Sequence, residues 1–218
     1  MPSDKGNSGN NWTWLGAALA STSIPFGSLA IPGGWRYHPV VLAHLVGTLA
    51  EMFPDRLRWI AVGSGEAMNE SVVGEGWPDK GERNERLKAG ADVVRSLLQG
   101  ETVDMKLPWF SSEAAKLWSL AKQPPAIYGA ALTTATAGWM GPWTDGVITV
   151  RKPVAQLREF AKCYEDNGGD GKPRALQLQI SWGGTLEKAR FAISGDAPRL
   201  RRTASRSCGD RMSSMTSP

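Results

Sequence analysis

The sequence holds only two cysteines, Cys163 and Cys208, and two histidines, His38 and His44. Two cysteines are too few for a disulfide framework or a cysteine-rich metal site. The histidines have no cysteine or carboxylate arrangement around them that would make them ligands, so no metal is expected. His44 falls on a mostly apolar helix and reads as a packed or edge histidine. Long apolar runs are also missing. Nothing approaches the roughly 20 residues of a membrane helix, and the opening MPSDKG lacks the apolar core of a secretory signal. The expectation is a protein with no membrane partner, in the reducing cytoplasm. Basic residues interleaved with aromatics are absent too. The net charge is +4, but Arg199, Arg201, Arg202, Arg206 and Arg211 crowd the C-terminal end, opposed there by Asp210 alone and with no aromatic among them. A nucleic-acid surface needs both residue types on one folded face, so nucleic acid is not an expected partner.

Strand and helix signals alternate along the 218 residues. Residues 1–11 are rich in Ser, Gly and Asn and read as a flexible N-terminal segment. Helices are predicted over 14–21, from Pro39 to Phe53, and over 82–99, 134–140 and 153–167. Strands are predicted over 24–31, 57–62, 126–131, 147–150 and 175–182. Pro39 suits a first helical turn, and Gly100 is a natural stop for the charged helix before it. Alternation of this kind gives a parallel sheet in an α/β fold. Residues 12–190 form the expected domain. The stretch 191–218, rich in Arg, Ser, Gly and Asp, carries no strand or helix pattern and reads as a disordered or frame-shifted tail.

The segment 58–70, RWIAVGSGEAMNE, carries the chemistry. An apolar strand ends in two glycines, and a carboxylate follows. Glycines at 63 and 65 permit positive φ and a close approach by a flat ligand. Glu66 then stands where barrels and open parallel sheets keep their ligands. The same residues also allow a plain strand-to-loop turn with a solvated Glu66.

With its flanks, the segment becomes more specific. Before it run Gly33-Gly34-Trp35-Arg36-Tyr37-His38-Pro39 and Met52-Phe53-Pro54-Asp55-Arg56; after it run Val73-Gly74-Glu75-Gly76-Trp77-Pro78 and Glu82-Arg83-Asn84-Glu85-Arg86-Leu87. This succession resembles the luciferase-like superfamily of flavin- or deazaflavin-dependent oxidoreductases, near the branch of coenzyme F420-dependent glucose-6-phosphate dehydrogenases and their FMN-using relatives. The resemblance runs from about Trp12 to about Lys188.

It implies a partial TIM (β/α)8 barrel with about five of eight strands. The first two strands and the last are expected to be missing, among them the strand that ends in a catalytic Asp-His in relatives. It further implies FMN or coenzyme F420 as cofactor, a small-molecule substrate, and hydride transfer or flavin monooxygenase chemistry. Gly63, Ser64 and Gly65 would line the cofactor ring, and Asn69 would hydrogen-bond beside it, although a helix-cap role fits Asn69 locally. Glu66 would exchange a proton near the reacting carbon from a partly buried position. Leu29 and Ala30 match a backbone bulge with a non-proline cis peptide against the ring, or else an ordinary strand end.

Some residues stand outside that match. Ala131-Leu132 replaces a Gly-Gly pair that approaches the cofactor's phosphate arm in the deazaflavin branch. No clear match exists for the sugar-phosphate lysine, although Arg151 and Lys152 lie near its place. Arg36 and Tyr37 are expected to order their loop, Trp77 and Pro78 to pack theirs, and Trp139 and Trp143 to fill core. Exposed edges of a partial barrel would call for a homo-oligomer or a complementing barrel fragment. An inactive fragment or assembly partner is the competing expectation.

Overall fold

The computed structural model describes residues 9–32, 36–74 and 76–193. Residues 1–8, the Gly33-Gly34-Trp35 triplet and the tail from 194, with Cys208 and its arginine cluster, lie outside them.

The first compact unit ends at Gln177. It opens with α1 (Asn11–Ser21), capped by the Asn10 side chain, which accepts from the Thr13 amide at 3.0 Å. Strand β1 (Phe26–Pro32) leads to α2 (Pro39–Met52), where His38 caps and Pro39 takes the first turn. Then come β2 (Leu57–Gly63), the single-turn α3 (Ala67–Glu70) with a tight turn at Ser71–Val73, and α4 (Lys80–Leu98), capped by Asp79. A hairpin of β3 (Val103–Lys106) and β4 (Ser111–Ala115) follows. The alternation resumes with β5 (Ala126–Ala130), α5 (Thr134–Met140), β6 (Gly146–Val150), α6 (Val154–Tyr164) and β7 (Arg174–Gln177).

Strands β1, β2, β5, β6 and β7 form one sheet in that order, every pair parallel. The five predicted strands are these five. Side chains alternate across them. On the helical side, Ile31, Ile60, Val62, Ile127 and Val147 join Leu15, Val46, Leu87, Val94, Leu97, Met140 and Tyr164 in the main core. On the other side lies a second, smaller cluster of Leu29, Ala61 and Ile148, flanked by Trp59, Tyr128, Ala130 and Ala175. This inner face is the one a barrel encloses.

Two glycines make room for its aromatics. Trp59 and Tyr128 stack with ring centroids 5.2 Å apart and planes 10° from parallel. A Cβ on Gly27 would stand 2.2 Å from the Trp59 ring, and one on Gly146 would stand 2.7 Å from the Tyr128 ring.

The structure departs from the sequence reading at four places. The last strand stops at Gln177, where β6, its one neighbour among the described residues, ends at Val150, so 178–182 is not strand. With no ladder to continue, Ile180 and Trp182 are 82% and 87% exposed. The β3–β4 hairpin was not foreseen, because Ser111–Ala115 carries no alternating apolar pattern. The helix before Gly168 ends at Tyr164, and the looser turn Glu165–Gly169 completes it, with Gly168 at φ 92°. In the second unit, α7 (Leu186–Ile193) is a helix that periodicity did not reveal, and Ser181 Oγ donates to the Ala189 carbonyl at 2.8 Å.

Candidate active site

Parallel strands bring their carboxyl ends to one rim, and the predicted residues gather where β1 and β2 reach it. Ser28 pairs with Ile60 and Ile31 with Val62, so Leu29 and Ala30 together face the single residue Ala61. Two residues against one is a β-bulge, a device that re-aims backbone beside functional sites. The expected bulge is therefore present. The cis peptide is not: none occurs among the described residues, and the shifted register accommodates the extra residue with trans bonds.

Next to the bulge, β2 ends at Gly63, paired with Pro32. Gly65 adopts φ 78°, a conformation most side chains resist. Gly63 has no positive φ, so the turn needs glycine's freedom at one position rather than at both.

Glu66 follows in extended conformation as the residue before α3, and its side chain makes no capping bond. Its Oε2 instead accepts a hydrogen bond from Asn69 Nδ2 at 2.9 Å. Asn69 lies inside α3, so the cap reading of that residue is overturned. Glu66 is exposed, not partly buried as expected.

The acid that is buried is Glu70, 4% exposed, whose Oε2 lies 3.1 Å from Arg36 Nε. Sequence reasoning assigned Glu70 no role. Arg36 and Tyr37 each make a contact distant in sequence: besides the Glu70 pair, the Tyr37 hydroxyl accepts from Asn10 Nδ2 at 3.2 Å. Trp77 packs under the Arg83 guanidinium, 4.3 Å from its ring centroid, and Arg83 also donates to the Pro78 carbonyl. Trp139 and Trp143 meet edge to face at 5.0 Å beside the core.

Two lysines reach the rim beyond β5. Lys152 Nζ donates to the Leu132 carbonyl, and Lys80 Nζ donates to Thr136 Oγ1 at 3.1 Å. Ala131 is buried with its amide bonded to the Ile148 carbonyl at 3.0 Å, while Leu132 is 59% exposed.

Deeper in the sheet, burial raises the Tyr128 pKa above the ordinary 10.0, and the Asp145 charge adds to it. Tyr164 is raised by burial, with its Thr144 hydrogen bond pulling the other way. Asp145 is held by both Nη1 contacts of Arg95, each 2.9 Å, and accepts from the Ile127 amide at 2.8 Å.

The rim combines small side chains, exposed backbone and polar groups. The inner face below it offers small side chains, Ala61 and Ala130, above the Trp59–Tyr128 stack. The bulge and the Gly65 turn present backbone, and Glu66 and Asn69 present polar groups.

The profile of the luciferase-like monooxygenase family matches residues 2–204, and the chain belongs to that family. An F420-dependent glucose-6-phosphate dehydrogenase of Microbacterium testaceum (strain StLB037) is 35% identical over 201 residues, covering 86% of this chain and 60% of that protein. The chain thus spans well under two thirds of its relative. Among solved structures, an F420-dependent secondary alcohol dehydrogenase bound to an F420-acetone adduct superposes with a TM-score of 0.70 at 26% identity, covering 81% of this chain and 57% of that one. The FMN complex of the oxygenating constituent of 3,6-diketocamphane monooxygenase from Pseudomonas putida shares the fold, with a TM-score of 0.70 at 17% identity, covering 86% of this chain and 57% of that one. The sheet is accordingly part of a luciferase-type TIM barrel. No helix among the described residues is long and apolar enough to cross a membrane.

Proposed function

We propose that this chain carries the cofactor-facing rim of a flavin- or deazaflavin-dependent oxidoreductase acting on a small organic molecule. The observation that carries the reading is the meeting of the β1 bulge, the Gly65 turn and the Glu66–Asn69 pair on one rim of a luciferase-type sheet. When bound, FMN or coenzyme F420 supplies hydride transfer at its ring, or with FMN the activation of oxygen.

The protein's part follows from its residues. Leu29, Ala30 and the turn Gly63-Ser64-Gly65 give the ring a backbone bed, and Trp59 with Tyr128 closes the floor beneath. Asn69 holds the Glu66 carboxylate in place, and Glu66 is the group that gives or takes a proton at substrate. Lys80 and Lys152 supply positive charge at the rim for a phosphate-bearing arm. Strands β1 and β7 each pair on one side only among the described residues. Covering these edges with a second copy or a complementing barrel segment belongs to the same proposal, as does a cytoplasmic location.

Fluorescence titration of the purified chain with FMN and with coenzyme F420 checks the reading. Saturable binding is expected for at least one of them. It should be lost in Gly65→Val, because a β-branched residue does not tolerate φ near 78°. If neither cofactor binds, the proposal fails for this chain.

A further inference from the structure

Three consecutive residues beyond β1 each hold a different element. Tyr37 takes a hydrogen bond from Asn10, the cap of α1. His38 Nε2 lies 2.9 Å from the Ser111 carbonyl oxygen of β4, while Nδ1 accepts from the Val40 amide at 3.3 Å. Arg36 reaches across 34 positions of sequence to Glu70, the last residue of α3, with side chains 10% and 4% exposed.

The turn at the far end of that contact is the one that bears Glu66. The amides of Asn69 and Glu70 both donate to the Glu66 carbonyl, at 2.9 and 3.0 Å. Ala67 and Met68 between them face solvent. A helix of four residues lies far below the length at which propagation offsets the cost of nucleation, so α3 persists only if something outside it holds it. Glu70 is its buried residue, and Arg36 is a charge that meets it.

Apolar packing would anchor such a turn with no less stability than a buried ion pair. What the guanidinium adds is direction, since its planar fork accepts a carboxylate in few orientations. We infer that the Arg36–Glu70 ion pair is a positioning device: it sets the rotation of α3 and so places the Glu66 carboxylate and Asn69 amide over the rim. The inference rests on the reading of that rim as the cofactor site. In this role Arg36 and Glu70 act through α3.

Amide hydrogen exchange on the full chain tests the device without any cofactor. Glu70→Gln keeps size and one acceptor but removes the charge, while Arg36→Lys keeps the charge but removes the fork. Each should speed exchange of the amides at 66–70 by about tenfold or more, as expected from losing a hydrogen bond between charged groups. Amides of β2, β5 and β6 should keep their protection. The exchanged pair R36E/E70R should restore most of the protection at 66–70. FMN and coenzyme F420 titrations of the same variants should show weakened binding in parallel.

Unchanged exchange at 66–70 in Glu70→Gln would overturn the inference. So would a loss of protection spread evenly over the sheet, which marks a general stability role. If the parent chain binds neither cofactor, the proposed function fails, but the exchange pattern still decides whether the pair sets the turn.

Discussion

Gly27→Ala probes the aromatic floor that underlies the site. The added Cβ would lie 2.2–2.5 Å from three atoms of the Trp59 indole, and such contacts do not go below 3.0 Å. The ring must therefore move by on the order of 1 Å to reach ordinary carbon separations. It has little freedom to do so. Trp59 is stacked on Tyr128 at 5.2 Å, and Tyr128 lies in turn against Gly146. Overpacking of this type costs about 1–3 kcal/mol, and loss of the stacked pair adds about 0.5–1.5 kcal/mol. A destabilisation of roughly 2–4 kcal/mol results, which at a urea slope of about 2 kcal/mol/M lowers the midpoint by about 1–2 M. Trp59→Leu should relieve the clash, so the double variant should be at least about 1 kcal/mol more stable than the sum of the single changes. A Gly27→Ala midpoint within about 0.3 M of the parent, or strictly additive effects, would refute the reasoning.

Three other outcomes are expected. Asp145→Asn removes a charge-assisted bond to Arg95 and should cost about 1–2 kcal/mol in urea unfolding; it should also lower the Tyr128 pKa, which stays above 10.0 because burial is the larger cause. Tyr128 and Tyr164 are both raised on folding, so the native state keeps protons that the unfolded chain releases. Their contribution to stability is full below pH 10.0 and is lost as pH rises through the raised values, which a series of alkaline denaturation curves measures. Glu66→Gln should leave cofactor binding within about threefold while lowering turnover by about 100-fold or more, the usual scale for a general acid or base; unchanged turnover would remove Glu66 from the chemistry.

Much of the scaffold was legible in the sequence because its strands are apolar runs closed by Gly or Pro. Leu57–Gly63 ends at a glycine turn, and Gly146–Val150 is buried over its first four residues. The turn 63–65 was likewise visible in its two glycines, and the bulge at Leu29–Ala30 through resemblance rather than local pattern. Other features depend on distant partners. The apolar alternation of Leu176, Leu178, Ile180 and Trp182 reads as strand throughout, but a strand extends only as far as its neighbour, and β6 ends opposite Gln177. Ser111–Ala115 has no strand pattern and forms a hairpin because Val103–Lys106 pairs with it and Asp104 Oδ1 receives the Ala114 amide. The Arg36–Glu70 pair joins the segment before α2 to α3, across 34 positions of sequence that carry no signal for it. Glu66 was found by its motif, but its exposure was misjudged, since burial depends on what stands above the rim.

The central claim is that the cofactor lies on the rim between β1 and β2, and a protection footprint tests it most directly. Amide exchange of the chain with and without saturating FMN or coenzyme F420 should show new protection at residues 29–31 and 63–70. The helical side, including the groove between α1 and α2 lined by Val41, His44 and Thr48, should be unchanged. Protection confined to that groove, or absent from 63–70 at saturation, would contradict the account.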